Sequence, residues 1–200
     1  EDVEGFRKKI WSSVLDLGLY RIVLFSLIYK KKMDLIIETG VLHGFSSLAM
    51  LEAISFLGSG KLISIDLPSL YENGPANNDG FTDTLPKNCK SGWVVPDRLK
   101  CHWDLKIGDS KSVLEKIQLN KKIDMFVHDS EHSYNTMMNE FDYAWKYLID
   151  GGVLLIDNAY CTNAVADFSA SVGRPVMYFE SDSNFEKTLK RKMRFAILIK

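Results

Sequence analysis

The chain has 200 residues, 46% of them hydrophobic and 26% charged, which is enough apolar material for one ordinary domain and too much for a disordered chain. Its 25 basic and 26 acidic residues leave a formal charge of −1, so it lacks the basic excess that nucleic-acid phosphates require. Three scattered cysteines, Cys89, Cys101 and Cys161, with no CxxC spacing, exclude a disulfide scaffold or a cysteine-rich zinc site and suit a reducing cytoplasm.

Apolar residues at Phe6, Ile10, Val14 and Leu17, then densely to Tyr29, predict helix over residues 3–31 with a break at Gly18. Lys30, Lys31 and Lys32 close it, where cations favour the helix dipole. Asp16 and Arg21 interrupt the most apolar stretch, so it does not read as a membrane span. It also lacks the small-residue cleavage site of a secretory signal, and a cytoplasmic location is expected. Residues 1–32 therefore read as an N-terminal helical segment ahead of a domain over 33–200.

From Met33 onward, strands and helices alternate. MDLIIETG is a strand ending in a turn, and a helix follows it, closed by Gly58 and Gly60. KLISIDLP is a second strand. HWDLKIGDS is a third, followed by helix over Lys111–Gln118. KKIDMFVHD is a fourth, followed by helix over His132–Leu148, and GGVLLIDNA is a fifth, followed by helix over Thr162–Ala170. PVMYFE and KMRFAILIK are two further β-like runs. Continuously apolar strands alternating with helices predict an α/β fold with a doubly wound, mostly parallel sheet, helices on both faces and an antiparallel C-terminal strand. Residues 68–100 break the alternation with Pro, Gly and Asn throughout, and read as an insertion that folds over the site like a lid.

In such a sheet, ligands bind outside the carboxyl ends of the strands, where strand order reverses. Five carboxylates sit at those ends: Glu38, Asp66, Asp109, Asp129 and Asp157. The first turn runs Glu38-Thr39-Gly40-Val41-Leu42-His43-Gly44-Phe45-Ser46. Its glycines permit a tight turn and close approach of a ligand, but the spacing is GxxxG and not the GxGxxG of a dinucleotide site. A carboxylate ahead of the turn repels a pyrophosphate and welcomes a cationic group. Asp66 is placed to accept both hydroxyls of a ribose. Asp109 and Ser110 are placed to meet an adenine amino group, or to cap the following helix. His43 and His128 read as structural, the latter because strand alternation turns it away from Asp129.

These segments resemble class I S-adenosylmethionine-dependent methyltransferases: Glu38-x-Gly40-x-x-x-Gly44, Asp66 after the second strand, Gly108-Asp109-Ser110, Asp129 after the fourth, and Gly151-Gly152-Val153 entering the fifth. The resemblance covers roughly residues 33–200 and implies a Rossmann-like methyltransferase sheet. It implies cofactor contacts from Glu38, Gly40, Gly44, Ser46, Asp66, Leu67, Asp109, Ser110 and Asp129. Asp129-Ser130-Glu131-His132-Ser133-Tyr134 and Asp157-Asn158 further resemble the Asp…Asp-Asn triad of metal-dependent O-methyltransferases of the catechol and caffeoyl-CoA type, and a DSEHSY subgroup acting on sugars and natural products. That implies Mg²⁺ held by Asp129, Asp157 and Asn158, all oxygen donors suited to a hard cation. His132, or Glu131, stands at the position of the base, where the catechol type has Lys.

The expected function is metal-assisted O-methylation of a small hydroxylated acceptor, with no nucleic-acid or membrane partner. A metal-independent N- or O-methyltransferase is the near alternative. An NAD-dependent oxidoreductase on a related α/β fold is the distant one, disfavoured by the GxxxG turn and by Glu38 before it. A non-catalytic cofactor-binding module shares the same scaffold. The acceptor's identity is not written in the sequence, and the oligomeric state, a homo-oligomer included, stays open.

Overall fold

The structure is a computed structural model that describes residues 18–67, 85–181 and 193–200. The helix expected before Gly18 and residues 68–84 of the insertion lie outside the described residues.

Helix α1 (Gly18–Lys31) leads into strand β1 (Leu35–Thr39), helix α2 (Phe45–Leu57) and strand β2 (Lys61–Asp66). A 3₁₀ turn (Asp97–His102) precedes β3 (Trp103–Ile107), followed by α3 (Ser110–Leu114), β4 (Ile123–His128), α4 (Tyr134–Tyr147), β5 (Leu148–Asp157), α5 (Ala164–Val172), β6 (Val176–Ser181) and β7 (Met193–Ile199). The strands form one sheet in the order β3-β2-β1-β4-β5-β7-β6. β1 to β5 run parallel, and β7 is antiparallel to both of its neighbours. The doubly wound, mostly parallel sheet with an antiparallel C-terminal strand is thus the observed fold. The chain winds outward from β1 to β2 and β3, then crosses back to β4 and β5, so the order reverses between β1 and β4.

Two cores sandwich the sheet. On one face Tyr20, Leu24 and Ile28 of α1 and Met50, Leu51 and Ile54 of α2 pack on Ile36, Leu62, Met125 and Val153. On the other, Met137, Phe141 and Ala144 of α4 and Phe168 of α5 pack on Ile37, Phe126 and Leu154. Inner strands are buried on both faces, which is why Leu35–Ile37 of β1 and Val153–Ile156 of β5 read as continuous apolar runs. α1 belongs to the same core as α2. Among the described residues, no helix is long and apolar enough to cross a membrane.

Element ends differ from expectation at three points. α3 stops at Leu114, well short of Gln118. Ile117 and Leu119 both pack toward the second core, and a two-residue spacing cannot place both on one helical face. β5 begins at Leu148, ahead of Gly151, through a register shift opposite Ile123 and Met125. α4 begins at Tyr134 because Ser133 caps it, accepting from the Thr136 amide.

Phe141 anchors the second core: it is fully buried, with ring centroids 5.5 Å from His128 and 5.4 Å from Phe168. Phe141→Ala is expected to cost about 3–5 kcal/mol in urea denaturation. A loss under about 1 kcal/mol would mean that this layer is not packed as described.

Candidate active site

The strand order lines the predicted acidic positions along one edge of the sheet, as Asp109, Asp66, Glu38, Asp129 and Asp157 from β3 across to β5. The crossover between β1 and β4 lies in the middle of that row. Two of the five side chains do not face outward as simple strand tips.

Glu38 lies inside β1, one residue before its end, and has no exposed surface. Its Oε1 accepts from Ser46 Oγ at 2.8 Å, and its Oε2 accepts from Ser47 Oγ and Ser64 Oγ, each at 2.6 Å. Ser64 in turn accepts from Trp103 Nε1 at 2.8 Å. Burial pushes the Glu38 carboxyl up to about 7, against the downward pull of the three hydroxyls. Glu38 and Ser46, both expected at the cofactor, are hydrogen-bonded to each other, which pins the start of α2 to β1. Asp109 is exposed and caps α3, accepting from Ser112 N at 2.8 Å. That bond holds its carboxyl below the usual carboxylate range. Ser110 opens α3 beside it.

The Gly-rich turn is held from both sides. Asp66 Oδ1 accepts from Val41 N at 3.0 Å and Leu42 N at 3.4 Å, while Oδ2 accepts from Ser91 Oγ. Gly40 has φ +82°, and a Cβ on it would fall 1.9 Å from the Asp129 carbonyl oxygen. Only glycine lets the turn lie against the β4–α4 loop that carries Asp129. Gly44, at φ +92°, meets Gly92 in the same way, its Cβ position 2.7 Å from the Gly92 Cα. The last part of the insertion, residues 85–96, therefore lies across the turn. Gly92 N donates to Leu42 O at 2.8 Å, and Trp93 Nε1 donates to His43 Nδ1 at 2.9 Å. His43 has the structural role expected of it. Leu67, next to Asp66, is 67% exposed, an apolar surface between the β2 and β3 tips.

On the other side of the crossover, ligand atoms of Asp129, His132 and Asp157 all lie within 4.8 Å of one another. Asp157 and His132 are buried, and Asp157 Oδ1 has no hydrogen-bond partner. Asn158 follows in the left-handed region at φ +48°, a conformation its short amide tolerates, and its Nδ2 lies 3.5 Å from His132 Nε2. Glu131 is half-buried and accepts from Thr136 Oγ1 at 3.4 Å. The Tyr20 hydroxyl, also buried and without a hydrogen-bond partner, is within electrostatic reach. Burial, then Asp129, Asp157 and Glu38, hold its ionisation well above the ordinary value.

Behind this cluster is a network that sequence reasoning missed. Buried Glu140 of α4 accepts from His128 Nδ1 at 2.7 Å and Ser130 Oγ at 2.8 Å, and from Thr39 Oγ1 at the end of β1. Burial opposes its charge, but the His128 charge and these bonds leave its carboxyl below the usual range. The signal was present: Met137, Glu140, Phe141 and Ala144 form the buried face of α4, and a carboxylate on such a face needs partners.

Because the Glu38 carboxyl titrates higher in the fold than in the open chain, its stabilising effect is complete at acid pH and is lost as pH rises through about 7. Glu38→Gln should therefore gain in melting temperature relative to the parent on going from pH 5 to pH 8. A difference that stays constant over that range would contradict the buried, hydroxyl-caged carboxylate.

A family profile described as a methyltransferase domain matches residues 37–159, spanning β1 through β5 and every predicted site residue. No curated protein matches the chain. Among solved structures, it is similar to TomG of Streptomyces achromogenes, an O-methyltransferase involved in tomaymycin synthesis and solved in complex with SAM. That match has 14% identity, 90% of this chain and 78% of that chain covered, and a TM-score of 0.62. It is likewise similar to an O-methyltransferase from Bacillus cereus solved with SAH, at 14% identity, 90% and 80% coverage and a TM-score of 0.59. These likenesses establish the shared fold, and with a profile spanning more than half of its length the chain belongs to the methyltransferase-domain family.

Proposed function

We propose that the chain transfers a methyl group from S-adenosylmethionine to a hydroxyl of a small acceptor, with a divalent cation held beside the acceptor. The observation that carries this reading is the division of labour along the sheet edge. Asp66, Leu67, Asp109 and Ser110 follow the strands on one side of the crossover, and a donor cluster (Asp129, His132, Asp157) lies on the other. Solved relatives with bound SAM or SAH support the choice of cofactor.

In this reading Asp66 receives the ribose hydroxyls, exchanging the Ser91 hydroxyl that it now holds for a ligand hydroxyl. Leu67 lies along the adenine, and Asp109 and Ser110 meet its polar edge. Gly40 and Gly44 let the turn pack against the Asp129 loop and Gly92, which sets the backbone of the turn beside which the methionine portion would lie. When bound, the sulfonium supplies the methyl group: the O–CH₃ bond forms as the S–CH₃ bond breaks, and the electron pair stays on sulfur. Positive charge vanishes in that step, so the carboxylates here steady the bound cofactor and not the transition state.

The donor set fits a divalent cation, since Asp157 Oδ1 is buried without a hydrogen bond and two carboxylates with one imidazole converge on it. Asp129, Asp157 and Asn158 would hold the ion, which when bound lowers the acceptor's pKa and orients it. His132 takes the acceptor's proton, with Glu131 next to it in sequence. The short reach from His132 to Asp129 and Asp157 favours a second reading, in which its imidazole is itself a ligand and Mn²⁺ or Zn²⁺ is preferred to Mg²⁺.

Calorimetry with S-adenosylhomocysteine, with and without Mg²⁺ or Mn²⁺, tests the reading. Asp66→Asn should weaken S-adenosylhomocysteine at least about tenfold. Asp157→Ala should keep that affinity and lose the metal. Unchanged nucleoside binding in the first variant, or unchanged metal binding in the second, would refute the corresponding role. His132→Ala separates the two imidazole roles: a base leaves metal affinity intact and turnover lost, whereas a ligand loses both.

A further inference from the structure

β7 runs antiparallel to the strands before it, so its beginning, not its end, meets the edge where the carboxylates gather. That reversal brings a cation there. Arg194 is one residue from Phe195, the register partner of Asp157, and its carbonyl accepts from Ala159 N at 3.3 Å. A cavity of about 390 Å³ opens at this point, lined by Asn158, Tyr160, Cys161 and Arg194. Its size suits a small-molecule site, and it begins at Asn158, the residue that follows Asp157 of the donor cluster.

The lining has a specific chemistry. The Arg194 guanidinium lies over the Tyr160 ring, 5.5 Å from its centroid. Tyr160 in turn packs against Tyr178 at 5.0 Å, and both rings are largely exposed, at 55% and 40%. Exposed aromatic surface beside a cavity is a stacking platform for a planar ligand. A guanidinium resting on an aromatic face is preorganised and weakly hydrated. Its Nε donates to Glu180 Oε2 at 2.9 Å across the β6–β7 pair. That engages one edge of the group, and the fork of terminal nitrogens is a second edge that can pair with a carboxylate. The Glu180 pair is solvent-exposed on both sides, so it holds Arg194 in place at little energetic cost to a competing anion.

We propose that Arg194 and Tyr160 form the acceptor subsite and select a planar hydroxylated molecule that carries a carboxylate or another oxyanion. The subsite is a specificity element of the reaction proposed above, and it rests on that reading for its link to methyl transfer. It accounts for a cation on an acidic edge: Arg194 orients the acceptor's anionic end away from the carboxylates, leaving the hydroxyl end toward Asn158 and His132.

Cys161 offers a readout that needs neither cofactor nor metal, because its exposed thiol lines the same cavity. Alkylation of Cys161 by iodoacetamide is followed by peptide mass spectrometry, with Cys101 as an internal control. The probes are 3,4-dihydroxybenzoate and the neutral 3,4-dihydroxybenzamide. The acid should half-protect Cys161 at about a tenfold lower concentration than the amide. Arg194→Ala should erase that difference, and Glu180→Gln, which frees the guanidinium, should widen it. Equal protection by both probes, or by neither, overturns the proposal, as does a Glu180→Gln variant that narrows the preference. Melting curves confirm that each variant is folded. S-adenosylhomocysteine binding, measured on the same samples, reports on the methyltransferase reading separately. Nucleoside binding without acid-selective protection defeats only the subsite. Acid-selective protection without nucleoside binding defeats only the reaction.

Discussion

A carboxylate that never meets water organises this site. Glu38 is closed in by the hydroxyls of Ser46, Ser47 and Ser64, and so joins β1, the start of α2 and β2 at a single point. A buried ionisable group is tolerated only where its lone pairs are occupied, and three short hydrogen bonds occupy them here. With α2 fixed in this way, the Gly-rich turn has little freedom. Asp66 holds its amides from the β2 side, and the Asp129 carbonyl closes against Gly40 from the β4 side. The cofactor turn and the donor cluster are therefore parts of one packed unit.

The same logic recurs across the crossover. Glu140 gathers His128, Ser130 and Thr39, joining α4 to the ends of β4 and β1 directly behind Asp129. The His128 and His132 rings stand edge to face at 5.3 Å, so the buried network also braces the His132 side chain. Polar networks of this kind are rigid when complete, and they are costly to break because each partner would be left buried and unpaired. The donor cluster is thus backed by two internal carboxyl groups with hydrogen-bonded partners, while Asp157 Oδ1 and the Tyr20 hydroxyl are buried without one.

Much of this was legible in the sequence. The run Leu35-Ile36-Ile37 is apolar because β1 is buried on both faces, and alternation of such runs with helices identified the sheet. Asp66, Asp129 and Asp157 stand along one edge, as expected of strand ends in a doubly wound sheet. What escaped was side-chain direction. Glu38 reads as a ligand contact, and the fold adds that it sits one residue before its strand's end with its carboxyl received by three serines at positions 46, 47 and 64. Those partners are set by packing of α2 on the sheet, and no local pattern encodes them. Glu140 was missed because a glutamate in a helix normally faces water. Arg194 was missed because its importance comes from strand reversal, which brings a residue 36 positions beyond Asn158 to the same cavity. His132 was singled out from its place after the fourth strand, and its convergence with Asp129 and Asp157 required the fold.

On the reading proposed above, one edge of the sheet joins a nucleoside site to a cation site across the β1–β4 crossover. The most direct measurement is a crystal structure with S-adenosylhomocysteine and Mn²⁺, located by anomalous scattering. The account predicts ribose hydroxyls on the Asp66 carboxylate and an anomalous peak between Asp129 and Asp157. A nucleoside bound away from Asp66, or manganese found only elsewhere, would contradict it.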